Sequence, residues 1–345
     1  MNKFKIFFDW FLKVGTSVLL VLFVIFSHFS ILPSILIAQS EVNKKENFEY
    51  QGILELWHIE TFEGGSQNRG KFLEKIARSF ESMHRGTYVV VLTMSLEQFE
   101  LNYSAGKMPN IISFGAGVGD DVTKSLVSIS SAENIRSDLL SGGKFASKQL
   151  AIPYMLGGYA FISKNDLQNS KTGKTGVGLL GVTNPLCCAK QNNISLDLYQ
   201  NNQIDSYTAY DKFLKGNFEN LLGTQRDVYR VSNRQQKGLL TEYNIYPLGV
   251  YTDLVQYVSV FQKEKVETEL SKAFAQYLID EKVQQQLADI SMFSVLQNAK
   301  LYDSGIYKDM ESVLNQKLST ENAFTTLKNI QNKKEQIFNE FQQNN

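Results

Sequence analysis

Cysteine is almost absent from the sequence. Its 345 residues include two cysteines, the adjacent pair Cys187 and Cys188. A framework of disulfide bonds is therefore excluded, and no cysteine lies near residue 40 to carry a lipid. We interpret the pair as two small apolar residues near a strand end, with a strained vicinal disulfide as the alternative. The three histidines lie far from both cysteines in sequence, which argues against a shared metal site.

The sequence also lacks an excess of either charge. Lys+Arg and Asp+Glu both number 35, so the formal net charge is zero. A nucleic-acid-binding protein typically carries a basic patch or a basic balance. We therefore expect no nucleic acid among the partners.

Sequence motifs of common enzymes are missing. Gly-x-Ser-x-Gly, His-Glu-x-x-His and a Cys–His pairing do not occur. The stretch KTGKTG (171–176) lacks the upstream glycine of a phosphate-binding loop, and GAGVG (115–119) has the wrong spacing for a dinucleotide fingerprint. We predict no enzyme, no cofactor and no metal. A secreted hydrolase remains a minor alternative, since carboxylate spacing in sequence does not identify a glycosidase pair.

One long apolar run stands at the N-terminus. A cationic head, MNKFKIFFDWFLK, precedes residues 14–38, which carry no charge if His28 is neutral. A signal peptide has an apolar core of about 7–15 residues, whereas a membrane span needs about 20. Residues 1–40 are thus a signal peptide, cleaved near Ala38, or an uncleaved membrane anchor, which the length favours. The basic head places the N-terminus inside. We expect residues 41–345 outside the cytoplasm, anchored at the cell surface or secreted or periplasmic, with 41–51 as a linker.

The following segment has the pattern of a parallel α/β domain. A strand over 53–59 leads to a helix with an apolar face that Ser66 can cap. TYVVVLTM (87–94) has no polar interruption and predicts a strand buried on both faces. Ser95 and Gln98 form a capping box for the next helix, and a strand follows over 110–114. Strands alternating with helices in this way predict a parallel sheet.

This pattern is interrupted near Pro153 and resumes near Pro247. A chain that crosses twice between two lobes has such an interruption, with a hinge at the Pro/Gly steps. We therefore assign 52–152 and 250–297 to a first α/β lobe. The second α/β lobe takes 153–249 and 298–345. Residues 168–205 are polar and show little periodicity.

Four stretches carry a family resemblance. They are ILELWHIETFEGG with FLEKIARSFE, AGKMPNIISF, QLAIPYMLGGYAFISKNDL, and AFAQYLIDEKVQQQLADISMFSV. In this order and spacing the chain resembles the extracellular solute-binding proteins of ABC importers, of the carbohydrate-binding, maltose-binding-protein-like type (family 1). Asn110 stands where that family usually has aspartate, and Ser294 where it often has proline.

The resemblance implies a two-lobed periplasmic-binding-protein fold that closes over a solute like a hinged clamp. The expected solute is a sugar or oligosaccharide, handed to the permease subunits of an ABC importer by a monomer attached to the membrane through its N-terminal segment. A glycerol-phosphate-type anionic polyol is the alternative solute. A sensor subunit that reports to a membrane kinase is the alternative function.

Ligands of open α/β sheets sit beyond the carboxyl ends of the strands. Residues at such positions or at the two crossings form the predicted ligand-binding set: Trp57, Glu60, Glu63, Ser113, Phe114, Tyr154, Tyr159, Thr224, Arg226, Asp227, Tyr251 and Asp253.

Two members of this set have specific expected roles. Trp57 can stack on the apolar face of a sugar ring, unless it is a core residue. Arg226 offers a planar donor fork to vicinal hydroxyls or a phosphate, with Asp227 orienting it, unless both belong to a surface salt-bridge loop. The alternative for the tyrosines is packing within a lobe. Gly64 and Gly65 either let the backbone approach the ligand or form a helix-entry turn.

Overall fold

The computed structural model describes residues 50–130, 133–165, 173–198, 204–240 and 242–343. The chain from Tyr50 onward forms one compact unit. The predicted signal or anchor segment 1–40 and the linker up to residue 49 lie outside the described residues. Within the described ranges, every helix is too short or too polar to cross a membrane.

A five-stranded sheet forms the first half of the fold, in the order β2-β1-β3-β12-β6. Strand β1 pairs in parallel with β2 and β3, while β12 runs antiparallel to β3 and β6. The strands are β1 Gly52–Ile59, β2 Thr87–Met94, β3 Ile111–Phe114, β6 Ile152–Leu156 and β12 Val255–Val260. A separate hairpin joins β4 Lys144–Phe145 and β5 Lys148–Gln149.

A second five-stranded sheet has the order β11-β7-β10-β8-β9. Strands β8, β9 and β10 are parallel, whereas β7 is antiparallel to both of its neighbours. The strands are β7 Tyr159–Ser163, β8 Lys174–Val177, β9 Asp197–Leu198, β10 Asn220–Thr224 and β11 Asn244–Leu248. Each sheet thus carries the parallel strands that an α/β fold requires.

Ten α-helices accompany these sheets in the described part of the chain. They are α1 Arg69–Met83, α2 Leu96–Ser104, α3 Ser137–Leu140, α4 Pro185–Gln191, α5 Ser206–Leu214, α6 Gln225–Gln236, α7 Lys265–Tyr277, α8 Glu281–Gln285, α9 Gly305–Leu314 and α10 Leu327–Gln343. Helix α9 packs on β11, and α10 packs on α4 and β9. The C-terminal helices therefore belong with the second sheet.

Local capping signals agree with the helix starts in part. The capping box of Ser95 and Gln98 at α2 is confirmed. Helix α1 differs, because its N-cap is Asn68, whose side chain accepts from the Lys71 N–H, and not Ser66. The Ser66 N–H instead donates to the Ile290 carbonyl at 2.9 Å, and the N-cap of the helix lies two residues further along the chain, at Asn68.

Strand β2 is not buried on both faces, contrary to its apolar sequence. Tyr88, Val90 and Leu92 on one face are 61%, 40% and 43% exposed. Two features explain the difference: β2 is the edge strand of its sheet, and the helix that follows it has nine residues. Phe99 of this short helix packs on Trp57, and the exposed residues of β2 stay uncovered.

The polar segment 168–205 contains β8, α4 and β9, which its composition did not predict. Helix α4 places Cys187 and Cys188 in the core of the second sheet, together with Leu186 and Ala189. Both thiols are free, so the pair is not a vicinal disulfide, and it lies in a helix rather than near a strand end. At seven residues, this helix is too short to produce a recognisable helical period.

The chain passes between the sheets at two adjacent places. Gly157 and Gly158 connect β6 to β7, and residues 249–254 connect β11 to β12. Pro153 pairs with Tyr257 inside the first sheet, so the first crossing follows β6. A Cβ atom on Gly158 would lie 2.8 Å from a methyl group of the buried Leu314 side chain, which would have to shift to make room.

Candidate functional site

A cavity of about 430 Å³ lies between the two sheets. One wall is the loop after β1 and the start of α1, residues 60–64 and 67–69. The other wall follows β8 and β10 and includes Gly178, Leu180, Thr183, Ser206, Thr224 and Arg226. The cavity therefore lies at the carboxyl ends of parallel strands, where open α/β sheets bind ligands.

An ion pair and two hydrogen bonds join the two walls beside this cavity. The Arg230 guanidinium binds the Glu63 carboxylate at two points, Nη2–Oε1 at 2.8 Å and Nη1–Oε2 at 3.2 Å. Gln225 Nε2 donates to the Glu63 carbonyl at 3.0 Å, and Arg226 Nη1 donates to the Gly65 carbonyl at 2.6 Å. The structure is thus a form in which the two sides touch.

The second wall is built on the start of α6. Thr224 is the N-cap, and its N–H donates to Asp227 Oδ2 at 3.0 Å in a capping box. Asp227 Oδ1 accepts from Arg230 at 3.1 Å. Burial raises the pKa of Asp227 to about 6, although these hydrogen bonds and the Arg230 charge act against the rise. The polar stretch GTQRDVYR is therefore a strand end and a helix start.

A buried polar network supports the first wall. Arg69 Nη1 donates to Gln256 Oε1, and Gln256 Nε2 donates to Ser113 Oγ at 2.9 Å. Ser113 Oγ lies 2.7 Å from Tyr154 OH and 2.9 Å from His58 Nδ1. Burial lowers the pKa of His58 well below its ordinary value, so this imidazole is neutral at pH 7. The network connects the strands of the first sheet to Arg69 at the cavity wall.

A second polar cluster lies at the crossing near β12. Asp253 accepts from Tyr159 OH at 2.6 Å and from the Asn184 N–H at 2.5 Å. Burial raises the pKa of Asp253 above its ordinary value. Since both oxygens have partners within the protein, Asp253 ties the crossing segment to β7 and to the start of α4.

The predicted ligand-binding set divides into three groups. Glu60, Glu63, Thr224 and Arg226 line the cavity. Ser113, Tyr154 and Asp227 lie behind its walls in the contacts described above. Residues packed elsewhere in the interior are Trp57, Phe114, Tyr159, Tyr251 and Asp253.

Trp57, whose predicted role was stacking on the ligand, is buried in the interior. Its side chain is 4% exposed, and its ring meets the Phe99 ring edge-on at 6.3 Å. The indole Nε1 is buried without a hydrogen-bond partner. This placement favours the alternative interpretation of Trp57 as a core residue.

Gly64 and Gly65 also differ from each other. Gly64 lines the cavity, whereas Gly65 lies against the Ile290 backbone. A Cβ atom on Gly65 would be 2.2 Å from the Ile290 carbonyl oxygen, so no other residue fits there.

Sequence reasoning missed several wall residues, above all Arg69, Asn68 and Phe62. Arg69 had a usable signal, because helical spacing places it on the same face as Phe72, Leu73 and Ile76. A single cation on an otherwise apolar helix face is unusual and marks a position with a special partner. Its neighbour Asn68 had the ordinary N-cap signal.

Comparison with known proteins gives structural likeness alone. No protein-family profile and no curated protein matches the chain. The maltose-maltodextrin binding protein of Alicyclobacillus acidocaldarius has a TM-score of 0.57 at 10% identity, covering 85% of this chain and 99% of its own. The iron- and citrate-bound IdiA (FutA) of Trichodesmium has a TM-score of 0.60 at 12% identity, covering 84% and 99%. Thiaminase I of Bacillus thiaminolyticus has 0.58 at 11%, also covering 84% and 99%.

These neighbours include binders of different solutes and one enzyme. Their likeness to this chain therefore establishes its architecture and not its function. In the described part of this chain, no group of three or more His, Cys, Asp or Glu side chains is placed to hold a metal ion. The predicted fold class is confirmed: the chain has the two-lobed α/β fold that solute-binding proteins for sugars and for iron share.

Proposed function

We propose that this protein captures a small solute outside the cytoplasm and delivers it to the permease subunits of an ABC importer. The observation that carries the proposal is the cavity of about 430 Å³ at the carboxyl ends of strands from two separate sheets. This volume is within the range of small-molecule sites, roughly 300–1,000 Å³. The ion pair between Glu63 and Arg230 beside the cavity supplies a contact that a closed clamp needs.

The proposed solute belongs to the sugar class. The binding of maltose and maltodextrin by the Alicyclobacillus neighbour supports this choice. The walls also offer hydrogen-bond acceptors and donors for sugar hydroxyls, including the Glu60 carboxylate, the Asn68 amide and the Arg226 guanidinium. One aromatic side chain, that of Phe62, is among the described residues of the cavity wall, and its ring can pack on an apolar sugar face.

The proposed closing motion uses the two crossings as a hinge. The lobes are those assigned above, 52–152 with 250–297 and 153–249 with 298–345. Gly157 and the segment 249–254 lie side by side, since Thr252 Oγ1 donates to the Gly157 carbonyl at 3.0 Å. A short paired hinge of this kind lets two lobes rotate without breaking either sheet. Attachment through residues 1–40 and a monomeric state complete the proposal.

Binding without catalysis is proposed despite the likeness to thiaminase I. The two cysteine thiols, the most nucleophilic side chains at neutral pH, are buried in α4 and are absent from the described cavity wall. A sensor subunit would use the same cleft. Coexpression with permease subunits distinguishes the two roles, because an importer component supports uptake of the solute and a sensor does not.

The experiment is a thermal-shift screen of the full chain in a mild detergent. The panel contains monosaccharides, oligosaccharides, sugar acids, sugar phosphates, glycerophosphates, polyols, amino acids and ferric citrate. A ligand at 100 times its dissociation constant stabilises the folded state by about 2.7 kcal/mol, which moves the midpoint by several degrees. A sugar-class hit supports the proposal. No shift with any sugar derivative contradicts the assignment to sugars.

A further inference from the structure

Arg69 occupies an unfavourable position for a cation. It is the first residue of the 15-residue helix α1, and its side chain is 1% exposed. The N-terminal end of a helix is the positive end of its dipole, where a cation is disfavoured and an anion is stabilised. The first turn of α1 contains no acidic residue that would compensate.

The partners of Arg69 within the protein are neutral. Its guanidinium donates to Gln256 Oε1 and to the Phe62 carbonyl, and it lies 4.0 Å from the centroid of the Phe62 ring. Its Nε is buried with no hydrogen-bond partner. Among the described residues, no carboxylate oxygen lies within 4.0 Å of it. Burial lowers the pKa of Arg69 to about 10, which leaves it charged at pH 7.

The two acids of the same wall do not supply the missing counter-ion. Glu63 is held by Arg230 at 2.8 Å, on the opposite side of the cavity. Glu60 is exposed, and its carboxylate accepts from Asn68 Nδ2 at 3.2 Å. Both acids contribute to the field at Arg69, but neither forms an ion pair with it.

The opposite wall contributes a second cation that has no carboxylate partner. Arg226 lines the cavity, donates through Nη1 to the Gly65 carbonyl at 2.6 Å, and has no carboxylate within 4.0 Å among the described residues. Of the helices that start on this wall, α5 is capped by the acid Asp205, and α6 carries the acid Asp227 in its first turn. Helix α1 is capped by the neutral Asn68. Arg69, at the start of α1, and Arg226 are therefore the two arginines of the described cavity wall that lack a carboxylate partner within 4.0 Å.

We propose that the captured solute carries an anionic group, a carboxylate or a phosphate monoester, held between Arg226 and the start of α1. This inference rests on the proposed function. It narrows the sugar class to sugar acids and phosphorylated sugars, and it adds phosphorylated polyols as solutes with the same anionic group. Arg226 contacts the anion directly. The Arg69 guanidinium, 4.0 Å from the centroid of the Phe62 ring, acts through its charge as a positioning residue.

The test uses matched neutral and anionic probes on the full chain in a mild detergent. Calorimetric titrations compare glucose with glucuronate and with glucose 6-phosphate, and glycerol with glycerol 3-phosphate. The proposal predicts at least tenfold tighter binding of one anionic probe than of its neutral partner. The carboxylate and phosphate arms identify which group is recognised. Raising the salt concentration weakens this binding, because the charges face a solvent-connected cavity.

Variants separate the charge effect from a folding defect. Arg226→Gln should reduce affinity for the anionic probe at least tenfold while the variant stays fully folded at the temperature of the titration, although it loses the hydrogen bond to the Gly65 carbonyl. Arg234→Gln, an exposed arginine on the same helix α6 and outside the cavity wall, should leave this affinity unchanged. Arg69→Gln should reduce the anionic preference, whereas Arg69→Lys should retain most of it.

Two outcomes overturn the inference in distinguishable ways. Equal affinity for neutral and anionic members of a pair removes the anionic assignment and leaves solute capture standing. Absence of binding by every probe, neutral or charged, with no hit in the wider thermal-shift panel, removes solute capture itself and the inference with it.

Discussion

Glu63 and Arg230 form a two-point ion pair across the cavity, although one follows β1 of the first sheet and the other lies in α6 beside the second sheet. Their side chains are 36% and 15% exposed, so water screens the pair only in part. Because the pair joins residues from the two walls, it favours contact between the two sides.

Breaking this pair should shift the unliganded protein toward an open form. Glu63→Gln removes the charge but keeps the main-chain carbonyl that accepts from Gln225. A loss of about 1 kcal/mol changes the ratio of closed to open molecules roughly fivefold. Small-angle X-ray scattering should then show a larger radius of gyration.

The matched control is Asp289→Asn. It breaks the exposed ion pair with Lys75 at 3.0 Å, which joins the segment after α8 to α1 and involves neither β8 nor β10. The radius of gyration should stay at the wild-type value. An equal expansion in both variants, or none in Glu63→Gln, would show that the ion pair does not control opening.

Asp227 should make stability depend on pH. Its folded-state pKa of about 6 exceeds the ordinary value of 3.8 because the carboxyl is buried. Between about pH 4 and 6 the folded protein therefore holds a proton that the unfolded chain releases, and this contribution to stability is lost as pH rises. The full effect is on the order of 3 kcal/mol.

Urea unfolding of wild type and Asp227→Asn at pH 4.5 and pH 7 measures this effect. The asparagine does not titrate, and its amide oxygen can still accept from the Thr224 N–H. The stability of wild type relative to the variant should fall by about 2 kcal/mol between the two pH values. Asp253 is present in both proteins, so its own titration cancels. A pH-independent difference would mean that Asp227 is ionised across this range.

Trp57 should contribute to stability and not to solute affinity. Replacing a large buried aromatic side chain by alanine typically costs about 3–5 kcal/mol, and Trp57→Phe should cost less. The Trp57→Phe variant should bind the solute as tightly as wild type does. A fall in affinity without a fall in the unfolding midpoint would instead support stacking on the ligand.

Cys187 and Cys188 should be unreactive in the folded protein. Their side chains are buried, and burial raises the pKa of both thiols, so little thiolate exists at pH 8. A disulfide-exchange reagent should modify them only after denaturant is added. Rapid reaction of the native protein would show that α4 opens readily.

Several elements of the first sheet and the helices beside it could be predicted from sequence because their signals are local. The strand before Glu60 and the capping box at Ser95 both use short-range patterns, and each appears in the structure. The exposed face of β2 could not be predicted, since edge position depends on which strands pair over long distances. Helix α4 escaped notice because seven residues are too few for a period.

The candidate site was harder to predict than the fold. Glu60, Glu63, Thr224 and Arg226, which were predicted from strand ends to bind the ligand, line the cavity, because chain direction fixes where strands end. Their contact with a ligand stays a prediction. The burial of Trp57 depends on Phe99, which comes from another element. The pairing of Glu63 with Arg230 joins residues that are 167 apart in sequence, and nothing local indicates it.

The central claim is that a solute binds in the cavity between the two sheets. Thr183→Trp tests it directly by placing a large side chain on the cavity wall without changing any charge. The solute with the largest thermal shift is titrated against this variant and against Ser82→Trp, at the exposed far end of α1. The account predicts a loss of affinity of at least 100-fold for Thr183→Trp alone, with both unliganded midpoints close to wild type. Undiminished binding by Thr183→Trp would contradict the claim and place the solute elsewhere.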